Sequence, residues 1–175
     1  MIFWHAGATI AIVRYVFKDP AMDLRFLAFG AILPDLVDKP IGWAFYDLGR
    51  VFAHTLLAPV VLLTVVMIVT RRGTARRKAW LGLPIGALLH LFLDARFTEP
   101  EGFWWPFLGT TFPGEEMELG DRLSDTLTDP WVIALEIVGL VYLVVLYRRA
   151  GLADRERRAE FLDTGRIPLP LQPGE

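Results

Sequence analysis

AHTLLAPVVLLTVVMIVT, residues 53–70, and WVIALEIVGLVYLVVLY, residues 131–147, decide the fold class. Together they hold only two side chains that can be charged near neutral pH, His54 and Glu136. Each comes close to the ~20 residues that cross a ~30 Å hydrocarbon layer. A soluble helical chain of 175 residues would lack the polar helices needed to cover several all-apolar ones. With 54% of residues apolar and a mean hydropathy of +0.41, the whole chain agrees with these two segments. The expected class is all-α, a polytopic membrane bundle of about five transmembrane or membrane-embedded helices.

The other segments follow outward from these two. Segment one runs from Ile2 to Phe17 and is broken by Asp19-Pro20. Its lack of a basic opening and of a small-residue cleavage site predicts a retained segment, not a removed signal. Segment two starts after Asp23, a predicted N-cap, and runs LRFLAFGAIL to Pro34, where PDLVDKP predicts a turn before a further apolar piece, Ile41 to Tyr46. Segment three is Ala53 to Thr70, segment four Ala79 to Asp94 and segment five Trp131 to Tyr147. Gly82 and Gly86 have the small-residue spacing of close helix packing, and Trp104 and Trp105 suit an interfacial anchor.

Charge sets the predicted orientation. RRGTARRK, residues 71–78, holds five basic groups and no acidic one, and Arg148-Arg149 ends segment five. The stretch from 95 to 130 is acidic, with Glu99, Glu101, Glu115, Glu116, Glu118, Asp121, Asp125 and Asp129 against Arg96 and Arg122. Short basic loops stay in the cytoplasm, so the N-terminus is expected outside and the C-terminus inside the plasma (inner) membrane. Residues 1–149 then form the membrane-embedded domain and 150–175 a polar cytoplasmic tail that closes on PLPLQPGE.

This topology puts His5, Asp35, Asp38, His54, His90 and Asp94 at one face, although nothing in the charge argument required it. His90 and Asp94 stand four apart, so on a helix they share a side. Imidazole and carboxylate suit zinc, manganese or iron, and a chain without cysteine has no thiolate to offer. Bland readings compete at each position: a capped turn for Asp35 or Asp38, an interfacial histidine for His54, a polar chain start for His5. Ionisable groups within an apolar bundle cost ~2.5–3.5 kcal/mol on insertion scales, which favours pairing and function. Glu136, inside segment five, is expected to pair with a buried base or hydroxyl. The net charge of −2 argues against nucleic-acid binding.

The order His5-Ala6-Gly7, GAILPDLVDKP, GRVFAHTLL and GALLHLFLDARFTEPEGFWWPF resembles the membrane-bound, predicted metal-dependent hydrolases of the YdjM type, over roughly the first two thirds of the chain. The resemblance carries the family's motif residues onto His5, Asp35 with Asp38, Arg50 with His54, and His90 with Asp94, followed by Trp105-Pro106. Three positions depart from the pattern: Gly49 replaces a histidine, Thr55 a serine, and the two aspartates stand three apart. The likeness implies a divalent metal, zinc or manganese, held by His5, Asp35, Asp38, His54, His90 and Asp94. Asp38 is then the expected general base, and Arg50 the group that holds a phosphate or a ligand carboxylate. The expected activity is hydrolysis of an ester or phosphoester, with membrane lipid as partner and plausible substrate. Two alternatives stand beside it: a non-catalytic membrane protein whose His/Asp cluster is structural, and an ion carrier, for which five segments without an internal repeat leave little room.

Overall fold

A computed structural model describes residues 1–114 and 127–167 and contains no strand among them. Glu115, Glu116, Glu118, Asp121, Asp125 and the proline-rich end lie outside the described residues. Helix α1 is Ile2–Ala11, continued by a wider π-helical turn, Ile12–Phe17. Next come α2, Leu24–Phe45; α3, Leu57–Val69; α4, Ala75–Trp80; α5, Gly82–Leu93; and the short α6, Pro100–Phe103. The long apolar helix α7 is Pro130–Arg149, and α8, Arg155–Thr164, follows it.

Local chemistry explains the boundaries. Asp23 accepts the N–H groups of Arg25 and Phe26 and starts α2, while Asp129 accepts from Trp131 and starts α7. The first apolar run ends at Lys18, whose positive φ of 53° turns the chain toward Asp19-Pro20. Helix α2 corrects the expected turn at Pro34. It passes through both Pro34 and Pro40 as one 22-residue helix. Proline removes a single donor from the ladder, the bond to the Gly30 carbonyl in the case of Pro34. Packing against α5 along this stretch outweighs that loss. Asp35 and Asp38 therefore ride on a helix three residues apart, and do not cap a turn.

Segment three is corrected too, because its helix begins at Leu57 and leaves residues 51–56 irregular. The carboxylate of Asp38 accepts the backbone N–H groups of Val51, Ala53 and His54, which diverts that backbone from helical bonding.

Helix α2 is the centre of the bundle: α5 covers one side, α1 the other, α7 packs on α1, and α3 on α5. Glycine permits the closest approaches. A Cβ on Gly86 would lie 2.6 Å from the Ala31 nitrogen, and one on Gly7 would lie 2.8 Å from the Gly139 carbonyl oxygen. At the end of the bundle away from the histidines, Ile10, Val13, Leu24, Leu27, Leu146, Leu152 and Ile167 form the apolar core. Contacts across residue 150 are part of it. Leu24 N–H donates to the Gly165 carbonyl (2.7 Å), and the buried Arg14 donates to the Ile167 carbonyl (3.1 Å).

Helix α7 is long and apolar enough by itself to cross a bilayer, with a mean hydropathy of 2.1. Ile2–Phe17 and Leu57–Val69 are apolar but shorter, about 24 and 20 Å at ~1.5 Å per residue. Outward-facing Val61, Val65, Ile68 and Val69 on α3, and Ile137, Val138, Val141 and Val144 on α7, leave apolar faces exposed, as a lipid-facing surface requires.

Candidate metal centre

Three buried histidines meet where α1, α2, α5 and the loop before α3 converge, and a backbone or carboxylate acceptor fixes one nitrogen of each. On α5, His90 Nδ1 lies 2.7 Å from the Ala31 carbonyl, next to the carbonyl that Pro34 leaves without its ladder partner. A carbonyl only accepts, so Nδ1 carries the hydrogen and Nε2 presents a lone pair. His5 Nδ1 donates in the same way to the Met1 carbonyl, and His54 Nδ1 to Asp38 at 2.7 Å. All three Nε2 atoms are thereby turned inward, toward one another and toward the carboxylates of Asp35 and Asp94.

What they face is one another and two carboxylates. His90 Nε2 is 3.2 Å from His54 Nε2, and His54 Nε2 is 3.5 Å from Asp35 Oδ1 and 3.9 Å from Asp94 Oδ2. His90 Nε2 is 3.7 Å from Asp94 Oδ2, and His5 Nε2 is 2.9 Å from Asp94 Oδ1. The His5 and His90 rings stack with centroids 4.1 Å apart. Lone pairs this close repel unless a proton or a cation lies between them. Two overlapping trios, His5/His90/Asp94 and Asp35/His54/His90, have ligand atoms within 4.8 Å of one another. Ligands around a tetrahedral zinc, at ~2.0–2.1 Å from the ion, stand about 3.3 Å apart, so the spacing and the N/O donor set fit a divalent ion.

Asp38 belongs to the supporting layer. Fully buried on α2, it accepts from Val51 N (2.8 Å), Ala53 N (2.8 Å), His54 N (2.9 Å) and His54 Nδ1. Both oxygens are occupied by donors, and the carboxylate fixes the loop and the ring orientation of His54 together.

Two side-chain cations flank the centre, beside the Met1 ammonium, 3.4 Å from Asp35 Oδ2. Arg50 Nη2 is 3.1 Å from Asp94 Oδ2 and its Nη1 is 3.9 Å from Glu99 Oε1, while Glu99 also pairs with the buried Arg96. Lys39 Nζ is 2.9 Å from Asp35 Oδ2. Lys39 carries no signal when PDLVDKP is read as a turn; on a continuous helix it stands one turn beyond Asp35, where ion pairs form. Glu136 accepts the Phe3 N–H at 2.9 Å and lies 3.9 Å from the Met1 ammonium, so the basic group it pairs with is the chain's amino group at the start of α1 and not a side chain. Trp105 lies outside the cluster, in an aromatic group with Phe52 and Phe112.

His5, Asp35, Asp38, Arg50, His54, His90 and Asp94 thus gather at one end of the bundle. A family model described as YdjM inner membrane protein matches residues 1–160. No curated protein and no solved structure matches the chain.

Proposed function

Since the chain belongs to the YdjM inner membrane protein family, we propose that it is a multi-pass membrane hydrolase that binds a divalent metal, zinc or manganese, and cleaves an ester or phosphoester at the non-cytoplasmic face. The observation that carries this reading is the convergence of three inward Nε2 atoms on the carboxylates of Asp35 and Asp94, in two trios whose ligand atoms lie within 4.8 Å of one another. His54, His90 and Asp94 hold the ion, and His5 backs Asp94. Asp38 is given an orienting role in place of the ligand or base role expected from the sequence, because its oxygens already accept four hydrogen bonds. Asp35 is the most exposed of the three carboxylates at the centre (14%, against 6% for Asp94 and 0% for Asp38) and is held by Lys39. It is therefore the assigned general base.

A divalent ion bound there supplies Lewis acidity, which polarises the substrate and makes nearby water more acidic. Asp35 takes the proton as water oxygen attacks the ester centre. It returns that proton to the departing oxygen as the C–O or P–O bond breaks. Arg50, aligned on Asp94, faces the developing negative charge.

A structural cluster is favoured by one feature: Asp35 Oδ1, 3.5 Å from His54 Nε2, could close the shell as a fourth ligand. Metal analysis of detergent-purified protein separates the two readings. Wild type should carry stoichiometric metal and His90→Ala only traces. Asp35→Asn should keep the ion if Asp35 is the base, and lose tight binding if the shell is closed. A folded wild-type protein with no metal above trace level would remove both metal readings.

A further inference from the structure

The mouth of the centre is more informative about its ligand than the interior. The three histidines and Asp38 are all but inaccessible, whereas Lys39 and Arg50 are 38% and 46% exposed. Each touches a carboxylate that converges on His54 Nε2, Lys39 through Asp35 and Arg50 through Asp94. Neither cation is consumed by that contact. Lysine has three donor hydrogens, and arginine has five in a planar fork matched to oxyanions.

Charge points the same way. Asp35, Asp38, Asp94 and Glu99 are balanced by Lys39, Arg50, Arg96 and the Met1 ammonium, so a divalent ion would leave the cluster positive. A neutral ester would add no negative charge opposite either flanking cation. An anionic group would engage both.

The loop that supplies Arg50 and His54 also carries Phe52, whose ring meets Tyr46 (5.7 Å), Trp105 (5.5 Å) and Phe112 (4.8 Å) edge-on. Tyr46 and Phe52 remain partly exposed, and Phe45 next to Tyr46 and Phe107 and Leu108 just after Trp105 are strongly exposed. Half-exposed aromatic rings next to a charged mouth suit the boundary between headgroups and acyl chains.

We propose that the centre receives the phosphoryl group of a membrane amphiphile, gripped by Lys39 and Arg50, with the Tyr46/Phe52/Trp105/Phe112 cluster against its apolar part. This assignment rests on the metal-hydrolase reading and narrows its substrate class from any ester to a lipid phosphoester.

Binding tests it without an activity assay. The full chain in detergent, loaded with zinc, is titrated with dihexanoyl phosphatidic acid, inorganic phosphate and dihexanoylglycerol, and zinc content is measured on the same samples. The phosphatidic acid should bind about tenfold or more tighter than either other probe, as expected if charge-assisted and apolar contacts act together. Lys39→Gln and Arg50→Gln should each weaken phosphatidic acid and phosphate severalfold with zinc retained, and Phe52→Ala should weaken phosphatidic acid alone. Lys39→Gln guards against a loss of fold or metal in the Arg50 variant. Equal affinity for dihexanoylglycerol or for inorganic phosphate, or no effect of Lys39→Gln, would overturn the assignment while leaving the metal centre standing. Wild-type protein that takes up no zinc would sink the centre and this assignment with it.

Discussion

Asp38 decides more at the residue scale than any ligand. One carboxylate orders three backbone N–H groups and one imidazole, so its loss leaves several buried donors without partners. Each orphaned donor costs ~1–3 kcal/mol, and breaking a buried charged pair ~3–5. Asp38→Ala should therefore destabilise the protein by at least about 3 kcal/mol. Thermal melting in detergent should rank it well below Asp35→Ala, whose side chain sits at the mouth. Asp38→Asn should fold but bind metal about 10–100-fold more weakly, the usual cost of losing an orienting partner. Metal affinity equal to wild type in that variant would remove the orienting role.

Among the elements, the α2–α5 pair sets the position of the centre. Helix α5 brings His90 onto the Ala31 carbonyl only because Gly86, one turn earlier, lets the two backbones touch. A Cβ at Gly86 would also come within 2.8 Å of the Gly30 carbonyl carbon, a backbone atom that cannot swing away. Gly86→Val should cost about 1–3 kcal/mol by overpacking. It should also reduce bound metal although it changes no ligand, and metal analysis beside melting checks both. A valine variant with wild-type metal content would show that the helices can separate without disturbing His90.

Considered as a whole molecule, the bundle is polar at one end and apolar at the other. Helices α1, α2 and α7 each run between the two. If the basic loop lies inside and the acidic stretch outside, single cysteines in this cysteine-free chain will report it. Phe107→Cys, at a strongly exposed position, should react with a membrane-impermeant maleimide in intact cells. Gly73→Cys, in the basic turn with open space around it, should react only after lysis. The reverse pattern would invert the topology and move the centre to the cytoplasmic face.

The helical, membrane-type character, the N-cap at Asp23, the break after Phe17 and the small-residue role of Gly86 were all legible in the amino-acid order. Hydropathy, capping and helix-breaking act within a few residues, where spacing alone carries the information. The meeting of His5, Asp35, His54, His90 and Asp94 was foreseen only through the alternation of segments, which places groups at an end without saying what they touch. Passage of α2 through Pro34, the late start of α3, the pairing of Lys39 with Asp35 and the docking of residues 150–167 on the apolar end belonged to the tertiary structure. Each is a competition between a local preference and a contact from far along the chain. A proline's missing donor is outweighed by a neighbouring helix, and a helix start is outweighed by a buried carboxylate that claims its N–H groups.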